Sequence, residues 1–127
     1  MADDVRPERV ALVLVSHSEQ IAEGTAGLAA QMAPGVTIRP VGGLPGGGLG
    51  TDFDRTLEEL GSAAQDALGV VVLADLGSAV LTVESALEFL DEDLASRTRL
   101  ADAPFVEGTV AAAVTVGEEA GTADHDA

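Results

Sequence analysis

Cysteine is absent from these 127 residues, and so is lysine. Without cysteine there are no disulfides, no thiolate metal sites and no thiol nucleophile, which suits a reducing compartment. Without lysine there is no Walker-A phosphate loop, no Schiff base and no lysine general base. All six cations are arginines (Arg6, Arg9, Arg39, Arg55, Arg97 and Arg99), set against 22 acids for a net charge of −16. Nucleic-acid binding needs a basic footprint, so no nucleic-acid partner is expected. The acid excess keeps the chain in solution and steers a basic partner toward it. Long apolar runs are lacking as well. None approaches the roughly 20 residues of a membrane span, so no membrane association is expected. Met1 to Arg9 is too short and too mixed in charge for a secretory leader. The expectation is one globular domain in the cytoplasm.

What is present begins with Val10-Ala11-Leu12-Val13-Leu14-Val15-Ser16-His17-Ser18. Six consecutive apolar residues read as a strand buried on both faces, as in a parallel sheet. A helix is predicted from Glu19 to Met32, with Ile21, Thr25, Leu28 and Met32 on its buried stripe. Ser16 and Glu19 stand in capping-box register at its start, and Ser18 is an equally good cap. Pro34-Gly35 ends it, and Val36 to Val41 is a second strand near a sheet edge. Gly42 to Gly50 holds six glycines in nine residues, a loop able to approach something closely. Thr51 and Asp54 match a second capping box, opening a helix to Leu68 with Phe53, Leu57, Leu60 and Ala64 inside.

Val70 to Ala74 is a third, wholly apolar strand, followed by the turn Asp75-Leu76-Gly77-Ser78. The next helix runs to Leu90 with Leu76, Val80, Val83, Leu87 and Leu90 on its stripe. Asp91-Glu92-Asp93 reads as a solvated exit. A weak strand, Arg97 to Ala101, and an alanine-rich helix, Pro104 to Val116, complete the domain at 9–117. Residues 1–8 and 118–127 are expected to be flexible tails. This β-α alternation predicts a three-layer α/β/α fold with a mostly parallel sheet in the order 2-1-3-4, flavodoxin-like. Its switch point lies between strands one and three, whose tips carry His17 and Asp75.

Neighbouring strands run about 4.8 Å apart, so a histidine and a carboxylate at adjacent tips are within reach of a shared hydrogen bond. Such an imidazole presents its other nitrogen as nucleophile or base in a fixed tautomer. Three helices begin near the same edge, after Ser18, Thr51 and Ser78, and helix starts hold phosphate well. Ser16, Ser18, Thr51 and Ser78 add hydroxyls. The combination suggests a phosphohistidine carrier. Taken singly, His17 reads as a structural helix-start residue, Asp75 as an N-cap and the glycine run as a flexible loop. No G-x-G-x-x-G and no G-x-S-x-G occurs, which disfavours a dinucleotide site and a hydrolase elbow. The histidines and acids show no metal-ligand spacing, and neither metal nor cofactor is expected.

The motifs Val13-Leu14-Val15-Ser16-His17-Ser18, Ala22-Glu23-Gly24, Gly48-Leu49-Gly50-Thr51, Ala74-Asp75-Leu76-Gly77-Ser78-Ala79 and Pro104-Phe105-Val106-Glu107-Gly108 occur in that order. Over residues 9 to 117 the chain resembles the EIIA-like domain of DhaM subunits, which belong to the mannose-type EIIA family of the phosphoenolpyruvate:sugar phosphotransferase system. The resemblance implies that His17 accepts the phosphoryl group and Asp75 orients it. It implies a phosphate pocket of Ser18, Thr51, Gly77 and Ser78, and a homodimer. HPr would donate the phosphoryl group. The acceptor would be ADP bound to the kinase subunit DhaL, working with DhaK. Where the family often has Gly-Thr-Ser, this chain has Gly50-Thr51-Asp52, which brings a negative charge near the pocket. Some relatives carry fused HPr-like and enzyme-I-like domains, which this chain is expected to meet as separate proteins. A mannose-type EIIA feeding a sugar permease EIIB, and a non-catalytic regulatory module, are the alternatives.

Overall fold

The structure, a computed structural model, describes residues 9–126. The segment 1–8 and Ala127 lie outside the described residues. The elements follow in the order β1 (Val10–Ser16), α1 (Glu19–Met32), β2 (Ile38–Gly42), α2 (Phe53–Asp66), β3 (Gly69–Ala74), α3 (Gly77–Phe89), α4 (Glu92–Ser96), β4 (Thr98–Leu100) and α5 (Phe105–Asp126). The four strands form one sheet in the order β2-β1-β3-β4, and every pair is parallel. The three-layer α/β fold read from the sequence is the fold observed.

β1 is central because it is apolar on both sides. Val13 and Val15 pack under α2 and α3, while Leu12 and Leu14 pack under α1 and α5. All four are fully buried, and burying a side chain of this size contributes roughly 1.5–3 kcal/mol. β2 is an edge strand that holds Pro40 opposite Leu14. Leu12 N donates to Thr37 O at 2.9 Å, which sets the alternation along β2 and turns the Pro40 nitrogen to the open side. A residue without an N–H is tolerated there. At the other end of α2, the Arg97 guanidinium donates to Ala64 O (2.8 Å) and Ala67 O (2.6 Å) and so closes carbonyls that the helix leaves unpaired.

The helix faces differ from the sequence reading. α1 buries Ala22, Thr25 and Ala29, whereas Ile21, Leu28 and Met32 are about half exposed (49%, 49% and 58%). α3 likewise buries Ala79, Val83 and Ala86, and leaves Leu76 exposed ahead of its first turn. Helices laid close on a parallel sheet turn small side chains inward and push bulkier ones to the flank. The Asp91-Glu92-Asp93 run is exposed, as expected, and it also opens the short helix α4. α5 does not stop at Val116 but continues as helix to Asp126, through most of the segment expected to be disordered. Gly117 lies against Ala33 and Val36, so α5 is still docked where the polar residues begin.

Candidate functional site

β1 and β3 end side by side, with Val15 opposite Ala74, and the next residues to emerge are Ser16, His17 and Asp75. Asp75 N donates to Val15 O at 3.2 Å, extending the ladder by one bond and fixing the Asp75 backbone. The Asp75 carboxylate then accepts three hydrogen bonds. His17 Nδ1 lies 3.0 Å from Oδ1, and His17 N donates to Oδ2 at 3.1 Å. Ser16 Oγ, fully buried, donates to Oδ2 at 2.7 Å and itself accepts from Ser18 N at 3.0 Å. Ser16 is therefore a support for Asp75 and not the cap of α1.

Burial pushes the Asp75 carboxyl up. The hydrogen bonds from the His17 ring, the Ser16 hydroxyl and the His17 amide, with the attraction of the imidazole, outweigh it and hold the group below its ordinary value of 3.8. A carboxylate only accepts, so Nδ1 carries the ring proton. The neutral imidazole then has its lone pair on Nε2, which meets the hydroxyl of Ser78. The His17 side chain is 22% exposed and that of Asp75 is 12% exposed, and of the ring's two contacts the one from Nε2 to Ser78 is the exposed one.

The glycine run packs against this turn. Gly43 N donates to Ser16 O at 3.2 Å and Gly50 N to His17 O at 2.8 Å. Five of its six glycines are required by a close approach or a positive φ, two of them beside the histidine turn. A Cβ on Gly42 would sit 2.4 Å from Ser18 O, and Gly50 has φ +145°.

The expected pocket residues divide into two groups. Ser78 and Gly77 lie in the first turn of α3, with Ser78 against the ring. Ser18 is occupied as the α1 cap, accepting from Ile21 N at 3.2 Å. Thr51 is 2.8 Å from Thr82 Oγ1 and does not cap α2. That cap is Asp52, whose Oδ2 accepts from Arg55 N at 2.8 Å. The Asp52 charge is thus spent on its own helix. α3 alone of the three helix starts has no side-chain cap bond; its N-cap is Leu76, not Asp75. Ala79 N donates to Leu76 O at 2.9 Å, and the N–H groups of Gly77 and Ser78 before it have no partner inside the helix. Sequence reading missed Thr82, which sits in mid-helix outside any motif, and the supporting role of Ser16.

Among the described residues no group of three His, Cys, Asp or Glu side chains is gathered as a metal ion requires, and no helix is long and apolar enough to cross a membrane. A cavity of about 510 Å³ opens at the opposite edge of the sheet, lined by Arg9, Thr37, Arg39 and Asp66 among others, and does not include His17.

Residues 11–124 match the EIIA-man family model, described as the fructose IIA component of the phosphotransferase system (PTS). The phosphoryl donor subunit DhaM of the PEP-dependent dihydroxyacetone kinase of Klebsiella michiganensis is 42% identical over 116 residues, which cover 88% of this chain and 24% of that protein. The DhaM subunit of PEP-dependent dihydroxyacetone kinase 2 of Listeria innocua is 37% identical over 107 residues, which cover 83% of this chain and 84% of that one. This chain therefore spans about a quarter of the first relative's length and most of the second's. The crystal structure of EF1359, a protein of unknown function, superposes with a TM-score of 0.79 at 39% identity, over 86% of this chain and 84% of that one. With a family model matched along nearly all its described length and relatives of this similarity, the chain belongs to the EIIA-man family of the phosphotransferase system.

Proposed function

We propose that this protein is a cytoplasmic phosphohistidine carrier that takes a phosphoryl group from phospho-HPr and passes it to ADP on the DhaL subunit of a dihydroxyacetone kinase, with DhaK binding the substrate. The observation that carries this reading is the division of labour on one imidazole. Nδ1 is held by Asp75, and the Nε2 lone pair points to the uncapped start of α3. The names of the relatives at 33–43% identity, all DhaM subunits of dihydroxyacetone kinases, favour such a kinase as the destination of the phosphoryl group.

In the forward step Nε2 of His17 attacks phosphorus in line. The new N–P bond forms as the bond from phosphorus to the donor's histidine nitrogen breaks, and that electron pair returns to the donor ring. His17 keeps its Nδ1 proton throughout, and the cationic character of the ring is balanced by the ionised Asp75. The incoming anion meets the N–H groups of Gly77 and Ser78 and the Ser78 hydroxyl, which must rotate off Nε2 onto a phosphoryl oxygen. In the second step a terminal oxygen of ADP attacks the same phosphorus, and the electron pair of the N–P bond returns to Nε2. Such transfer is mostly positioning and charge stabilisation. Residues 9–117 form the carrier unit, and the functional assembly is a homodimer.

The description of the family model, a fructose IIA component, favours a second reading in which the acceptor is a sugar-permease EIIB domain. Incubation with phosphoenolpyruvate, enzyme I and HPr, followed by mass spectrometry under alkaline conditions, tests the carrier. One phosphoryl group on His17 is expected, with none in H17A; labelling retained in H17A refutes the assignment. Offering the labelled protein DhaL–ADP or an EIIB domain separates the two acceptors.

A further inference from the structure

We infer that Thr82 is a positioning residue of the transfer site, and that Thr51 acts through it and not as a phosphate ligand. This inference rests on the carrier reading. Thr82 Oγ1 lies 2.8 Å from Thr51 Oγ1 and 3.0 Å from Ser78 O. A carbonyl oxygen only accepts, and a threonine hydroxyl has a single proton. Thr82 gives its proton to Ser78 O, so Thr51 must be the donor in the other bond. The only side-chain proton Thr51 has to offer is thereby committed to Thr82 and is withdrawn from an incoming phosphoryl oxygen.

These two bonds close a circuit. Gly50, immediately before Thr51, donates its amide to His17 O at 2.8 Å. From Thr51 the connection runs to Thr82, from Thr82 to the carbonyl of Ser78, and from the Ser78 hydroxyl back to His17 Nε2. The glycine loop and the first turn of α3 are separate in sequence and hold the same residue, one by its carbonyl and the other by its ring. The two-hydroxyl strut sets one against the other, so that the histidine's backbone and its reactive nitrogen are referenced to the same frame. Removing the strut leaves His17, Asp75 and Ser78 in place chemically but frees the turn carrying Ser78 to shift. Misplacement on the scale of 1 Å is costly in reactions that depend on alignment.

The test uses the near-isosteric T82V and the hydroxyl-retaining T82S. T82V is expected to lower the rate of phosphoryl transfer from phospho-HPr about tenfold with KM for the donor unchanged, as for lost alignment. T82S is expected to stay within about twofold of the parent because it keeps the proton. T51V should show the T82V loss, and T51V/T82V should be no slower than either single variant, since both break one chain. With 15N-histidine, the His17 Nε2 resonance in T82V should move toward its position in S78A, while in T82S it should overlay the parent. A T82V protein with parental rate and resonance overturns the inference, and so does a T82S protein as impaired as T82V, which would assign the effect to the methyl group. Should T82V fail to fold, T51V decides, its parental behaviour being the overturning result. If the parent protein accepts no phosphoryl group, the carrier reading falls, while the resonance comparison still decides the role of Thr82.

Discussion

Two kinds of helix start meet at the carboxyl edge of this sheet. α1 and α2 are closed by their own side chains: Ser18 accepts from Ile21 N, and Asp52 accepts from Arg55 N. α3 begins after Leu76, whose side chain has nothing to offer its amides. All three starts have the same backbone dipole and the same unpaired N–H groups. They differ in what meets the third amide: the side chains of Ser18 and Asp52 at α1 and α2, and the Leu76 carbonyl, 2.9 Å from Ala79 N, at α3, which leaves the approach to Gly77 and Ser78 clear of any capping side chain. The open start is also the one whose second residue, Ser78, touches the histidine.

The comparison breaks or sharpens by substitution. The largest effect is expected from Asp75→Ala, which leaves the open start intact but removes the group that fixes the ring. Transfer from phospho-HPr should slow by about ten to a thousandfold, the range for a lost acid–base partner. An unchanged rate would reduce Asp75 to a scaffold residue. Asp75 also leaves a signature in acid. Its carboxyl is held below the ordinary 3.8, so the stability it contributes is complete above that value and is lost as pH falls from there through the lower folded-state value. Thermal unfolding followed from pH 6 to pH 2 should therefore fall less steeply in D75N than in the parent over the acid end, and identical slopes would count against the ionised, hydrogen-bonded carboxylate.

A smaller effect is expected from Leu76→Asp, which gives α3 the cap it lacks. Phosphoryl acceptance should fall about tenfold through competition for the same amides, while the helix gains on the order of 1 kcal/mol. Equal stability with undiminished transfer would show that the α3 amides do not receive the anion. The smallest effects belong to the closed starts. Ser18→Ala and Asp52→Ala should each cost about 1 kcal/mol in denaturant unfolding and leave transfer within about twofold. A Ser18 or Asp52 variant that loses transfer without losing stability would place those starts in the pocket after all.

How much of this was legible in the sequence depended on what each residue had to satisfy. β1 was readable because a strand buried on both faces must be apolar at every position, and Ala11 to Val15 is. The approach of His17 to Asp75 was readable from the strand order, since both follow strands that are neighbours in a parallel sheet. Helix faces were harder. Alanine and glycine fit equally well inside and outside, so Ala22, Ala29, Ala79 and Ala86 drew no notice beside Ile21, Leu28 and Met32. Caps were ambiguous by one or two residues. Ser16 and Ser18, or Thr51 and Asp52, offer similar oxygens, and only the backbone entering each helix selects between them. Thr82 gave no signal, because a threonine in mid-helix is commonplace until its neighbour across the site is known.

Pro40 and the brevity of β4 together govern how such a sheet meets another. Along one margin the outward nitrogen carries no hydrogen to share, and along the other only Thr98, Arg99 and Leu100 are laid out as strand. Continuous strand-on-strand growth, the route by which exposed sheet borders recruit further chains, is thereby cut short at both sides. Association with a second copy or a foreign protein must then be built mainly from helices and loops, where side chains choose the companion.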